Sequence, residues 1–464
     1  ESKMSKQVID LLQKLRQSAL NKGLQALISY HEEDSYLMRF ANSAISLNTN
    51  EHLISLDFIA FDGRKKVSYS MIADTSDFES MEKGLDILVE MLPHAQALSY
   101  DPTFPVYEKD VLDERSFDPA LAALTNEERL AYFNTLGEGL ENDDVKLSGI
   151  FSSGTTTIGQ ISTANEHTQY FRSTDAQVTA VLSSESLKWE VNAEQSAQKK
   201  SDLDAEGLHA DLALLVKHYH EDEAVQLPVG KYTIVLGPAA TAELSNIMTY
   251  YGMTGGALMQ GYSFLKEEDQ GKLLFSEKIH LVDDPSEVEI YAQKADRFGL
   301  ERKPFPLITE GRFQAFMWDQ DSADEFKKTP TGHDVSHTSL VMGGGEKPAA
   351  TLKDLLEMPR EEDILYVPYI HYMNVVNPTQ GMVTGSSRFG ALYLKKDGSV
   401  QVPYNVRLTQ KFSDFFGERV QWLSKEQVAY NVSSSYGRRD PTALKVPRFI
   451  CVKEIEISHS NPSY

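Results

Sequence analysis

Val8, Leu11, Leu12, Leu15 and Ala19 fall three and four positions apart, the apolar stripe of one amphipathic helix that ends near Asn21, Lys22 and Gly23. The period then changes. Residues 24–30 read as a strand, and the polar run His31, Glu32, Glu33, Asp34 reads as its break. Further strands are predicted at 36–40, 44–47, 52–61 and 66–69, the last two joined by a hairpin at Asp62-Gly63. Helical spacing returns over 80–92. Within the polar stretch 101–145, Thr125 followed by Glu128 has the pattern of a capping box and opens a helix through Leu130, Tyr132 and Leu136.

After Gly139 the chain reads as short alternating strands at 145–151, 155–162, 167–173, 176–182 and 187–191. Their connections are too short for parallel crossovers, so an antiparallel meander is expected. Residues 195–220 are predicted helical, 232–236 a strand and 239–250 a helix leading into Gly252-Met253-Thr254-Gly255-Gly256. Beyond Leu274 short strands alternate with Gly, Pro and Asp turns, with helices at 351–356 and 413–416 and a last strand at 448–457. The fold class is α+β. A mixed α/β domain is expected over residues 1–195 and a strand-rich domain over 196–464.

Composition narrows the function classes. With 68 acidic and 45 basic residues among 464, the formal charge is −23, which disfavours a nucleic-acid surface and an anionic membrane. The apolar fraction of 41% is ample for globular cores. The lone Cys451 excludes internal disulfides and multi-cysteine metal sites and fits a reducing compartment. The polar start, residues 1–7, runs into a helical pattern, so no targeting segment is expected and Met4 reads as the natural start. No apolar run approaches the ~18–20 residues of a membrane span. A soluble cytoplasmic protein is expected.

The candidate chemistry is sparse. His333 and His337 have the i, i+4 spacing of a two-histidine metal helix, but Pro330 and Gly332 before them predict a loop. His218 and His220, beside Glu221, Asp222 and Glu223, read as a solvated helix end. Gly385-Ser386-Ser387 and Ser433-Ser434-Ser435 read as turns rather than nucleophiles. Gly343-Gly344-Gly345 lacks the Lys-Ser/Thr of a phosphate loop. Cys451 lies in an apolar strand, where an inert buried thiol is expected.

The order of several motifs resembles the TldD/PmbA family, also called candidate modulators of DNA gyrase. The resemblance rests on Tyr36-Leu37-Met38-Arg39-Phe40-Ala41-Asn42-Ser43, the strand end Gly237-Pro238, Thr254-Gly255-Gly256-Ala257-Leu258, Ser263-Phe264-Leu265, and the aspartate turn Leu281-Val282-Asp283-Asp284-Pro285. Pro330-Thr331-Gly332, Asn377-Pro378-Thr379-Gln380-Gly381, Asp397-Gly398 and Pro447-Arg448-Phe449 follow in the family's order. It implies an N-terminal α/β domain, a barrel-like C-terminal domain and dimers. It also implies a TldD-type metallopeptidase subunit carrying a His-Glu-x-x-x-His zinc helix and a later cysteine, and a TldE/PmbA-type partner without those ligands.

Laying Gly237-Pro238 on the family's equivalent without gaps puts the motif positions on Asn246, Ile247 and Tyr251, and the segment 433–440 has no cysteine. The resemblance is therefore to the TldE/PmbA side. It implies a chain with no catalytic or metal residues and no cofactor of its own, the zinc being supplied by a TldD-like partner. The expected partners are that subunit or a second copy of the chain, and a peptide substrate. Gly255, Gly256, Ser263 and Thr331 are the candidate peptide-binding residues. Two alternatives remain: a self-sufficient hydrolase with a rewired metal site at His333, His337 and His371, and a non-enzymatic peptide- or protein-binding regulator linked to gyrase modulation.

Overall fold

α1 (Lys3–Asn21) starts where the Ser2 hydroxyl accepts the Ser5 N–H at 3.1 Å. Its predicted stripe of Val8, Leu12, Leu15 and Ala19 is buried. The computed structural model describes residues 2–222, 224–334, 337–433 and 437–459. Glu223, Ser434 and Ser435, named above, lie outside the described residues, as does Val335-Ser336 between the two loop histidines.

The first sheet is built from β1 (Gln25–Ala41), β2 (Ala44–Asp62), β3 (Lys65–Ile72), β4 (Val111–Ser116), β5 (Val145–Ser162), β6 (Thr168–Ser184) and β7 (Trp189–Ala197). Its order is β3-β2-β1-β5-β6-β4, with β7 also on β6. β4 and β6 run parallel and the other pairs antiparallel, so the meander predicted over 145–191 is present. Asn42 and Ser43, both with positive φ (50° and 65°), make the tight turn between β1 and β2. α1 and α2 (Phe78–Met91) cover one face. α3 (Asn126–Gly137) carries the expected capping box between Thr125 and Glu128.

Three local expectations change. His31–Asp34 does not break β1, which pairs without interruption with β2 and β5 through these residues. His31 and Glu33 share one face and are 4% and 5% exposed, because residues 438–440 cover them. The strands read at 145–151 and 155–162 are one strand, β5, bridged by small residues Ser152, Ser153 and Gly154. The helix expected from Gln195 begins at Ala205, after β7, where the Asp204 carboxylate accepts the Gly207 N–H at 2.9 Å.

Beyond α4 (Ala205–Glu221) come β8 (Gly230–Leu236), α5 (Pro238–Gly252), α6 (Gly255–Met259), β9 (Leu281–Asp283), α7 (Gln320–Phe326), β10 (Leu340–Met342), β11 (Ile364–Val367), β12 (Tyr369–Asn377), β13 (Gln427–Asn431), β14 (Ala443–Pro447) and β15 (Ile450–His459). Among the described residues these strands belong to two sheets. One places β8 between β15 and β11, and the other runs β9-β10-β14-β13 on one side. The chain is α+β, 26% helix and 40% strand, with a curled half-barrel sheet. No helix of the described residues is long and apolar enough to cross a membrane.

β8 is buried on both faces. Ile234 and Leu236 join a core with Leu244, Met248, Phe313 and Phe412. Val235 joins another with Phe151, Trp189, Leu212 and Phe449. α1 lies so close on β5 that a Cβ at Gly159 would sit 2.9 Å from Val8 Cγ1 and 3.0 Å from Leu12 Cδ1. Gly159→Val is expected to cost about 1–3 kcal/mol by overpacking. Urea unfolding of the two proteins checks this, and Gly159→Ala should lie between them.

Candidate functional site

α5 follows β8 directly through Gly237, with Pro238 at its first turn. Asn246, the buried Thr249 and the exposed Tyr250 line a cavity of about 100 Å³ along one side of this helix. Gly256 of α6, Asp319 before α7, and the loop residues His333 and Asp334 close the cavity from the other sides. Thr254 caps α6, accepting the Ala257 N–H at 3.4 Å. Asp319 caps α7, accepting the Ser322 N–H at 2.9 Å. The backbone is stitched across the site: the Gly255 N–H donates to the Met317 carbonyl at 2.7 Å, and the Met317 N–H to the Met253 carbonyl at 2.9 Å. A side chain at Gly255 would collide with the Trp318 ring, so glycine is what lets this turn approach.

A buried ionic group holds the loop behind the cavity. Asp283, at the end of β9, is fully buried. Its Oδ1 accepts from Arg302 at 2.9 Å and from the Ser339 N–H at 2.6 Å, and His333 Nε2 lies 2.7 Å from its Oδ2. Burial pushes the Asp283 carboxyl up, but His333 and the Arg302 charge outweigh it, and the group sits below the usual carboxylate range. The Thr331 hydroxyl accepts the Trp318 N–H at 2.8 Å and meets His333 Nδ1 at 2.6 Å.

On the other side of Asp334 and Gly332 a cavity of about 340 Å³ separates this loop from the first sheet. His31 of β1, His337, Arg438 and Asp440 line it. His337 Nε2 lies 3.2 Å from Asp440 Oδ2. Burial lowers the His337 pKa, but the Asp440 carboxylate overrides it and the imidazole is held above its ordinary value. His31 is held below its ordinary value by burial and by Arg438, and its Nε2 has no hydrogen-bond partner. Arg439 spans the sheet: its backbone N–H donates to Glu33 at 3.2 Å, its Nε to Ser35 at 2.9 Å, and its guanidinium to Asp175 at 2.6 Å and to Ser152.

The candidate peptide-binding residues are placed differently from one another. Gly256 lines the small cavity. Gly255 lies beneath it against Trp318, and Thr331 holds His333 from behind. Ser263 is away from the cavity, donating to the Gly252 carbonyl at 2.6 Å and accepting the Leu265 N–H at 3.0 Å.

The rewired site of His333, His337 and His371 is not assembled. His333 is bound to Asp283 and Thr331, and His337 to Asp440. His371 packs on β12 among Tyr369, Tyr372 and Phe389. Among the described residues no group of three or more His, Cys, Asp or Glu could hold a metal ion. The residues that sequence reasoning missed are His31, Glu33 and Asp175. Residues 31–35 are all polar, so no alternation marks the buried face, and the one signal of a continuous strand was the apolar character of both flanks, 26–28 and 36–38.

Three solved structures share this fold. TldE from Thermococcus kodakarensis superposes with a TM-score of 0.78 at 15% identity, covering 97% of this chain and 100% of that one. A Bacteroides thetaiotaomicron protein described as a candidate modulator of DNA gyrase gives 0.77 at 16%, covering 97% and 98%. A Thermotoga maritima protein of the same description gives 0.73 at 13%, covering 97% and 99%. The comparison with curated proteins found no match. Residues 229–459, the segment from β8 to the end of β15, match the model of the PmbA/TldA metallopeptidase C-terminal domain. The architecture is thus that of metallopeptidase-related proteins. Within that class, the chain belongs to the TldD/PmbA family.

The metal implied by the domain's description finds poor ligands on α5. Asn246 offers an amide to the cavity. Ile247 is an alkyl chain packed on the core, and Tyr251 is a half-exposed phenol stacked edge-on against Tyr250. Zinc is held by imidazole, thiolate and carboxylate. Cys451 is buried in β15, which pushes its thiol up to about 12.

Asp283→Asn leaves Arg302 buried without its counter-charge and should cost about 3–5 kcal/mol near neutral pH. A carboxyl held below its unfolded value stabilises the fold above the ordinary 3.8 and loses that contribution as pH falls. Denaturant unfolding across pH should therefore show a weaker acid-induced loss in the variant.

Proposed function

We propose that this chain is the peptide-holding, metal-free subunit of a TldD/PmbA-type peptide-processing assembly, completed by a metal-bearing TldD-like chain. The observation that carries the reading is the character of α5 at the small cavity. At the motif positions that the resemblance implies, this chain has Asn246, Ile247 and Tyr251, and the cavity is lined by Asn246, Thr249 and Tyr250 beside Asp319 and Asp334. An amide, hydroxyls and carboxylates suit the N–H and C=O groups of an extended peptide better than they suit a metal. β13 adds support. It is an edge strand among the described residues, and an extended peptide can pair with such an edge through its main chain. In this role Gly256 shapes the wall, while Gly255, Thr331 and Ser263 fix the segments around it. The charge of −23 favours a protein or peptide partner over nucleic acid, and a cytoplasmic setting.

The test combines metal analysis with solution mass, for the chain alone and mixed with a TldD-type chain from the same genome. Expected are no stoichiometric zinc in the isolated chain, a complex of summed mass in the mixture, and chelator-sensitive peptide hydrolysis in the mixture alone. Stoichiometric zinc with chelator-sensitive hydrolysis by the isolated chain would overturn the reading, and so would failure to form the complex.

A further inference from the structure

β7, β13, α4 and the start of α5 enclose a cavity of about 370 Å³, separate from residues 331–334. Its wall leaves two buried acceptors without donors. Asn192 is 7% exposed, lines the cavity, and its side-chain Oδ1 accepts no hydrogen bond. Two positions on, on the same face of β7, Glu194 Oε2 is also shut from solvent without a well-aligned donor, although Tyr430, Thr179 and Asn192 lie beside the carboxyl. Unpaired buried acceptors are costly, and native proteins seldom keep them without a partner.

The surroundings specify what kind of donor is missing. Asp202, Asp204, Asp211 and Glu289 add four carboxyls to the wall. Arg448 is the one cation among the described lining residues, and it is committed to Asp211 at 3.1 Å. Tyr366, Tyr369 and Tyr430 contribute three aromatic rings. Burial holds the Glu194 carboxyl above the usual range. On α5, Glu243 is pushed up to about 7, by burial first and then by the Glu194 charge. Asp211 is thus matched by Arg448, and Asp204 by the Gly207 N–H, whereas Glu194 has no ion pair among the described residues. An acceptor that needs an N–H bond, a carboxyl without a counter-charge and rings that bind cations together match a protonated amine.

We propose that this cavity binds an alkylammonium group, with Asn192 Oδ1 and the Glu194 carboxylate accepting its N–H bonds and the tyrosine rings enclosing its charge and stem. The group belongs to a peptide, as its N-terminal amine or a lysine side chain. That identity rests on the peptide-holding reading above; the ammonium site itself does not.

The experiment is a calorimetric titration of the full chain with n-butylammonium chloride and with three peptides of equal length. The first has a free N-terminus and no lysine, the second is N-acetylated with one lysine, and the third is N-acetylated without lysine. Butylammonium should saturate, and Glu194→Gln and Asn192→Ala should each weaken it about tenfold or more, with unchanged far-ultraviolet circular dichroism. The first or second peptide should bind, naming the source of the amine, and the third should not. Butylammonium that fails to saturate, or that binds both variants as tightly as the parent, overturns the site. Peptides that bind regardless of Glu194→Gln would then leave the peptide-holding reading standing. Butylammonium binding that depends on Glu194, with no peptide bound, keeps the site and overturns its assignment to peptides.

Discussion

The Arg439 guanidinium is the tie on which the arrangement around the candidate site depends. Asp175 is 3% exposed in the middle of β6, and burial pushes its carboxyl up. Arg439 pulls it back, reaching it at 2.6 Å while also bonding Glu33, Ser35 and Ser152. A buried carboxylate of this kind is tolerable only with such a partner. The pairing fixes residues 438–440 on the first sheet. That in turn places Arg438 3.1 Å from Asp57 and Asp440 opposite His337. The polar middle of β1 and the polar end of the chain are two halves of one interaction.

A second buried charge, Asp283, does for the loop at 331–339 what Asp175 does for the loop at 438–440. In both cases a fully or nearly buried carboxyl holds an arginine from a distant segment, and Asp283 also accepts the Ser339 N–H. The cavity walls are therefore set by ionic groups lying behind them, with His333 shared between the Asp283 group and the cavity lining. α5 keeps its buried side, with Leu244 and Met248 in the core, whatever its exposed side carries.

Much of the fold was legible because apolar periodicity and caps are local. α1, the Thr125–Glu128 box and the antiparallel run after Gly139 follow from spacing alone. What escaped was non-local. His31 and Glu33 look like a turn until Arg439, four hundred residues away in the chain, is known to lie on them. The start of α4 was missed because the β7 pattern, with polar Glu194 and Gln195, resembles a helix entrance as much as a strand. At the site, the motif order pointed to α5 and to the loops that enclose the small cavity. It did not tell which of Gly255, Gly256, Ser263 and Thr331 face a cavity, because that depends on Trp318 and Met317 from another part of the chain.

β8 has Ile234 and Leu236 in one core and Val235 in the other, with β15 and β11 on either side. The second of those cores also takes in Phe151 and Trp189 from the first sheet. Three consecutive residues therefore join two cores that lie on opposite sides of one strand. One face of the first sheet is closed by α1 and α2 from its own half of the chain, but the other is completed by residues near 235 and 449, so a chain lacking its last strands would leave that apolar face uncovered.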